Sequence, residues 1–462
     1  MGRPIFAAIY LIGTSLLINY YFSNWAYDDP FVTYRYAANL QHGLGFVYNP
    51  AERVLSTTTP LFTFLLALLG NLLADFPRLA NAIGAFSLAL GGIFLWDLAH
   101  TWESPLTGYA GLLLYPAFPL LLGTLGSETP LYLAFCLGAF AFYSRQRYSL
   151  TAVCIALAVL TRPDGILLAV ILALHYLVWI RRPLPWRALA LFLGLTVPWF
   201  VFAWIYFGSP LPVTLAVKQH QGSMAISQYF IPGLSSILGV YTWWPYLLEA
   251  LFAAAGVIFM VRYARHWGLF LAWTVFYFFM YSILGVSSYF WYYAPLVPGF
   301  IVFLGLGISS LVGFFISNRA VLYGAVIILL LVLLGSQASH LHLNNRLIMY
   351  AAVGEWLRDN TPQDASVGTL EVGIIGFHAQ RRMIDFAGLI QPQVSDQFTK
   401  YTTYEDAALW AVERYRPDYL AFFDQQFPRL ETGYAARHCT VIKIFSGKTY
   451  AYTSNMNVYA CK

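Results

Sequence analysis

Residues 27–60 read Y-D-D-P-F-V-T-Y-R-Y-A-A-N-L-Q-H-G-L-G-F-V-Y-N-P-A-E-R-V-L-S-T-T-T-P. Two adjacent carboxylates, Asp28 and Asp29, stand just past a long apolar run, Pro4 to Tyr21. Arg35, His42, Glu52 and Arg53 follow within the same loop. The loop is out of character with its surroundings. The 462 residues are 59% hydrophobic, 18% aromatic and only 10% charged, where a soluble domain carries about 25% charged residues. That deficit, with repeated long apolar runs, defines a polytopic α-helical membrane protein. Charge near lipid is expensive, so a polar loop of this kind is where chemistry concentrates. The net charge of +5 is spread over loop arginines with no basic tract, which excludes a nucleic-acid surface. G-x-x-x-x-G-K, H-E-x-x-H and Cys/His metal spacings are absent, so an ATP-driven pump and a zinc peptidase are unsupported.

Arg3 ahead of the first run places the N-terminus inside. Asn24, Trp25 and Tyr27 follow the run where a cleaved leader needs small residues, so it reads as a retained span, and the loop 24–60 lies outside. Within it Thr33–Gln41 has helical character, broken by Gly43 and Gly45, with a turn at Asn49-Pro50. The apolar run 61–73 is about thirteen residues where a span needs about 20, and reads as re-entrant or interfacial. Runs at 78–98, 106–124 and 127–143 then return the chain inside, at Arg145 and Arg147, and leave Gly126 to Pro130 outside with the acid pair. The stretch 150–180 is bounded by inside arginines at both ends and interrupted by Thr161-Arg162-Pro163-Asp164-Gly165, which predicts two short helices meeting at an outer turn. Runs at 188–206, kinked by Pro198, and at 243–260, 267–284, 296–316 and 320–336 follow, with 227–240 interfacial. The total is roughly eleven spans, ending outside.

From about Asn344 the composition turns polar. Residues 1–343 read as the membrane domain and 344–462 as an extracytoplasmic α/β domain of roughly 115 residues. A helix ends at Asn360, another spans 404–415, and strands are expected at 365–370, 419–423, 440–445, 450–453 and 457–461. Cys136 and Cys154 lie in apolar runs and read as packing residues. Cys439 and Cys461 lie outside, where a disulfide and two free thiols are both open.

Asp28 and Asp29 suit a general base for an acceptor hydroxyl, ligands for a divalent cation, or a hydrated pair capping the next helix. Arg35, Arg53, Arg162, Lys218 and His220 could hold an anionic headgroup or simply anchor bulk lipid. Arg162 and Lys218 are the better phosphate candidates because each adjoins a Pro or Gly turn. The aromatic block Tyr289–Tyr293 reads as an interfacial belt or supplies a hydroxyl to phosphate or sugar. Glu128 caps its helix or, with His42, positions an acceptor.

These segments resemble the GT-C superfold of glycosyltransferases. The loop D-D-P-F-V-T-Y-R-Y-A-A-N-L-Q-H-G-L-G-F-V-Y-N-P-A-E-R-V is similar to the first outside loop of the bacterial branch that includes terminal arabinofuranosyltransferases. The wider class includes protein O-mannosyltransferases and lipid A aminoarabinose transferases. G-S-E-T-P-L at 126–131, L-T-R-P-D-G at 160–165, Y-F-G-S-P-L-P-V-T at 206–214 with Lys218 after it, and Y-Y-A-P-L-V-P at 292–298 are further matches. V-G-I-I-G-F at 372–377 and I-D-F-A-G-L at 384–389 extend them into the C-terminal region. The resemblance implies a polyprenyl-phosphate sugar donor, a glycan, lipid or protein acceptor, and inversion at the anomeric carbon. It puts the base at Asp28, with Asp29 as second choice or partner. The donor phosphate then falls to Lys218 and Tyr292, with Arg162 and Arg35 as further candidates. A divalent cation is left open, with Asp28 and Asp29 its ligands if one is used. Thr57-Thr58-Thr59-Pro60 matches no subfamily pattern. A flippase or transporter for lipid-linked sugars, or a binding protein acting through its C-terminal domain, are the competing readings. The first would need polar groups through the membrane depth, for which only Asp97, His175 and Glu249 are available.

Overall fold

The computed structural model describes residues 2–339, 341 and 348–462, so the domain boundary expected between residues 343 and 344 lies outside the described residues. The chain opens with α1 (Gly2–Phe22), then α2 (Asp29–Gln41) and the short apolar α3 (Pro60–Leu69). The first half of the bundle is α4 (Phe76–Thr101), α5 (Pro105–Leu113), α6 (Pro119–Leu122), α7 (Thr129–Ser144), α8 (Tyr148–Thr161), α9 (Gly165–His175) and α10 (Trp186–Phe207). After α11 (Thr214–Ser223) and α12 (Phe230–Val240) come α13 (Trp244–Tyr263), α14 (Gly268–Ile283), α15 (Val297–Phe315) and α16 (Arg319–Ser339).

Among the described residues seven helical segments are long and apolar enough to cross a membrane, carried by α1, α4, α10, α13, α14, α15 and α16. The four other expected crossings fall on shorter pieces. The run 106–124 is not one helix: α5 stops at Leu113 and α6 restarts at Pro119. Pro116 disfavours helical backbone at Tyr115 before it, and Pro119 suits a helix start. The turn at Arg162-Pro163-Asp164 separates α8 from α9 as expected, and α10 runs unbroken through Pro198. The most enclosed long helices are α4 and α15. The crossing of α13 and α15 depends on glycine. A Cβ on Gly256 would sit 1.8 Å from the Phe303 carbonyl oxygen, and one on Gly307 1.8 Å from that of Phe252. Small residues let membrane helices approach this closely.

The C-terminal region folds as α17 (Ile348–Asn360), β1 (Ser366–Thr369), α18 (Ile374–Ala379), β2 (Arg382–Asp385), α19 (Pro392–Ser395), α20 (Tyr404–Tyr415), β3 (Tyr419–Phe423), β4 (Cys439–Phe445) and β5 (Met456–Cys461). The sheet order is β2-β1-β3-β5-β4, parallel across β2, β1 and β3 and antiparallel beyond. A capping box between Thr403 and Asp406 starts α20. The strand expected at 450–453 does not form; Gly447–Tyr450 is a helical turn, and Tyr452 donates its N–H back to Gly447 at 2.8 Å. Cys439 and Cys461 are joined by a disulfide between directly paired residues of β4 and β5.

The membrane helices share one apolar core that includes Phe140, Trp267, Phe270 and Trp273. A second core is built jointly by the first loop and the C-terminal region, with Tyr34, Tyr36, Phe46 and Tyr48 packed among Met349, Val353, Ile375 and Met383. The two regions therefore do not bury their apolar faces separately.

Candidate active site

Helix α2 begins at Asp29, with Asp28 as its N-cap residue and Pro30 in its first turn. Adjacent positions at a helix start project about 100° apart, so the two carboxylates diverge. Asp29 faces a cavity of about 360 Å³. Asp28 turns the other way, and its oxygens accept the backbone N–H of Ile374 at 2.7 Å and of Gly373 at 3.1 Å. The contact is so close that a Cβ on Gly373 would lie 2.0 Å from the Asp28 carbonyl oxygen. Burial pushes the Asp28 carboxyl up to about 7, with Asp29 and Asp385 adding to the rise, although the N–H groups of Ile374 and Gly373 pull it down. Glu371 nearby is raised to about 8 by burial and by Asp28 and Asp385. Burial raises Asp385 to about 6 while it accepts the N–H groups of Ala387, Leu389 and Ile390. That turn sets Leu389 in the cavity wall.

The cavity collects side chains from segments far apart in sequence: Asp29, Glu128, Arg162, Lys218 and Tyr292 all line it. Lys218, on α11, is almost fully buried. Its ammonium lies 4.0 Å from Asp29 Oδ1 and 3.9 Å from the centre of the Tyr289 ring. Helix α11 is held against the first loop where Val213 donates its N–H to the Leu55 carbonyl at 3.0 Å and Thr214 its hydroxyl to that of Ser56 at 2.6 Å. Arg162, also buried, is fully engaged: it pairs with Asp164 at 2.7 Å and Glu128 at 3.5 Å and donates to Thr129 at 3.1 Å and Tyr281 at 3.2 Å. Burial raises the Glu128 carboxyl against the pull of Arg162. Ile166, Leu167, Met280 and Leu284 add apolar side chains to the cavity wall.

Two expected site residues lie elsewhere. Arg35 is not a phosphate ligand: its guanidinium is buried and donates to the main-chain oxygens of Tyr48 at 3.0 Å, Gly376 at 2.5 Å and Arg381. His42 is the exposed C-cap residue of α2 and is not part of the cavity wall. Arg53 rests on the Tyr206 ring at 4.5 Å, and His220 lies 3.7 Å from Asp396. The hydroxyls of Thr33, Thr57 and Thr59, by contrast, form a buried triangle with sides of 3.0 to 3.3 Å in the cavity wall. The signal for it was the threonine run at 57–59, whose partner Thr33 only the fold supplies. Among the described residues no group of three or more His, Cys, Asp or Glu side chains is placed to hold a metal ion. With both Asp28 oxygens engaged by amides, the acid pair does not offer two carboxylates to one cation.

The architecture has close counterparts among solved structures. ArnT from Cupriavidus metallidurans bound to undecaprenyl phosphate matches over 98% of this chain and 97% of its own, at 14% identity and a TM-score of 0.61. This chain has the GT-C fold. The apo state of the same ArnT gives a TM-score of 0.62 at 14% identity, over 98% of this chain and 97% of that one. The Archaeoglobus fulgidus oligosaccharyltransferase in complex with Zn and sulfate matches at 13% identity and a TM-score of 0.57, over 99% of this chain and 72% of its own. The family described as Domain of unknown function (DUF8728) matches residues 339–459, the C-terminal part of this GT-C chain. No curated protein matches the chain by sequence.

Proposed function

We propose that this GT-C protein is a membrane glycosyltransferase. It moves a sugar from a polyprenyl-phosphate donor to a hydroxyl of a glycan, lipid or protein acceptor at the outer face, with the N-terminus cytoplasmic and the C-terminal domain extracytoplasmic. The observation that carries this reading is the pairing of a half-exposed carboxylate, Asp29, with a buried ammonium, Lys218, 4.0 Å apart in one cavity with apolar side walls. A lipid-linked donor needs an apolar wall for its first prenyl units, a cation for its phosphate and a base for the incoming hydroxyl.

In this mechanism Asp29 takes the proton from the acceptor hydroxyl as its oxygen attacks the anomeric carbon. The bond between that carbon and the phosphate oxygen breaks, and polyprenyl phosphate leaves with the bonding pair. Lys218 neutralises charge growing on the phosphate, where a fixed cation in a buried site is most effective. Tyr292 donates to the same group. Arg162 is already satisfied by Asp164 and Glu128, so its role is to hold those acids and the α8–α9 turn in place. The threonine triangle faces the sugar. Among the described residues no group of three or more His, Cys, Asp or Glu side chains surrounds Asp29 to hold a resident metal. Asp97, His175 and Glu249 are engaged with Arg145, Tyr143 and Gln337 and lie away from the cavity wall, which counts against a transport path.

The test is release of polyprenyl phosphate from a panel of polyprenyl-phosphate sugars by purified protein. Release by wild type and loss with Asp29→Asn is expected. No turnover by wild type, in a preparation that binds a donor, overturns the reading.

A further inference from the structure

A second cavity, of about 530 Å³, lies on the C-terminal region where residues 52–54 meet the start of β2, the segment before α19 and the flank of α20. Trp410 and Arg414 are one turn apart on α20 and both line it. Tyr415 sets its ring at 76° to that of Trp410 with centroids 6.0 Å apart. Three arginines and one glutamate line the pocket, an excess of positive charge. Arg382 is paired with Glu52 at 2.6 Å and Arg53 with the Tyr206 ring. Arg414 is exposed and makes no ion pair among the described residues. This pocket and the candidate active site are back to back. Val54 and Ile390 face the first, while Ser56 and Leu389 face the second.

We propose that this pocket binds a segment of an acidic oligosaccharide. A pyranose ring presents a face of C–H groups that suits the indole of Trp410, a ring rich in contact area and carrying one polar handle. A guanidinium with free donors suits the carboxylate of a uronic acid, and Gln393, also in the wall, offers an amide to ring hydroxyls. In naming that saccharide as the acceptor strand, held beside the transfer site, the inference rests on the glycosyltransferase reading; the binding itself does not. An anionic lipid headgroup presents the same charge without the ring face, so it would use Arg414 and ignore Trp410.

The test is calorimetric titration of the full-length protein, in nanodiscs of phosphatidylcholine, with tetragalacturonate, a hyaluronan tetrasaccharide and neutral maltotetraose. At least one acidic tetrasaccharide is expected to bind saturably and maltotetraose at least about tenfold more weakly, with added salt eroding the difference. Arg414→Ala, an exposed substitution that leaves the fold intact, and Trp410→Ala, checked by its thermal midpoint, should each weaken binding by about tenfold, the size of one lost charged or stacking contact. Three results overturn the proposal: neither acidic probe binds, maltotetraose binds equally, or both variants bind as wild type does. Binding that Arg414→Ala abolishes and Trp410→Ala spares, and that glycerol phosphate displaces, also overturns it in favour of a headgroup site. Asp29→Asn should bind the saccharide normally. Transfer without saccharide binding sinks the subsite alone, and saccharide binding without transfer sinks only the enzymatic reading.

Discussion

The Asp28 carboxylate accepts the backbone N–H of Ile374 at 2.7 Å across 346 residues of chain. Its other oxygen holds Gly373 at 3.1 Å. Arg35, Tyr48 and Asn49 add hydrogen bonds from the same loop to Gly376, Val372 and Met383. The polar residues that make the first loop conspicuous are divided between two tasks. Asp28 and Arg35 fasten the C-terminal region to the first loop, and Asp29 faces the cavity.

Asp28→Asn should therefore loosen the C-terminal region more than it alters the cavity. It turns an amide NH2 toward one of the two N–H donors, which leaves that buried donor unpaired at a cost of about 1–3 kcal/mol before relaxation. Gly373→Ala leaves both carboxylates in place yet drives a Cβ into Asp28. Both variants should speed amide hydrogen exchange across residues 372–377. Asp29→Asn should leave that exchange at the wild-type rate.

The fastening should weaken as pH rises. Asp28 near 7, Glu371 near 8 and Asp385 near 6 all exceed the ordinary carboxyl value of about 4. Between those limits the folded form holds more protons than the unfolded one, so stability is greatest below about pH 4 to 5 as far as these groups act. It is lost progressively as pH climbs through the folded values, from about 6 to about 8. Protection of residues 372–377 measured at about pH 6 and about pH 8.5 should fall, and Glu371→Gln should flatten the dependence. Protection that increases with pH contradicts the assignment.

Lys218→Gln should lower the transfer rate by about 100-fold, the usual cost of removing one preorganised charge stabiliser. Uncharged glutamine still fills the space beside Tyr289. Single-turnover kinetics with saturating donor separates this from a binding defect; an unchanged rate excludes Lys218 from the phosphate site.

Gly256→Ala should destabilise the bundle without touching the cavity. The added methyl meets the Phe303 carbonyl, and α13 and α15 must separate, at a cost of roughly 1–3 kcal/mol. The thermal midpoint in detergent should drop, while the kcat of protein that remains folded is unchanged.

Much of the fold was legible in the sequence because lipid imposes strong rules. Apolar length marked the long helices, and Thr161 to Gly165 announced the turn between α8 and α9 through its charge and its proline. The run 106–124 misled because its hydropathy is continuous while Pro116 and Pro119 break its backbone. Strand β2 went unread: four residues with one exposed arginine show no alternation. At the site, Glu128, Arg162, Lys218 and Tyr292 were readable as polar residues near turns, and the fold brings them to one cavity wall. Asp28 and Asp29 could not be told apart locally, since one residue of helix rotation separates them and the deciding partners lie more than 340 positions away. Arg35 failed for the same reason. Two of its three carbonyl partners, Gly376 and Arg381, belong to the C-terminal region, whose docking no local pattern reveals.

The most direct measurement compares wild type, Asp28→Asn, Gly373→Ala and Asp29→Asn for release of polyprenyl phosphate, with hydrogen exchange of residues 372–377 recorded on the same samples. The account predicts that Asp29→Asn loses transfer with native protection, and that Asp28→Asn and Gly373→Ala lose activity and protection together. Full transfer by Asp29→Asn, or an inactive Asp28→Asn with native protection, would contradict it and return the base to Asp28.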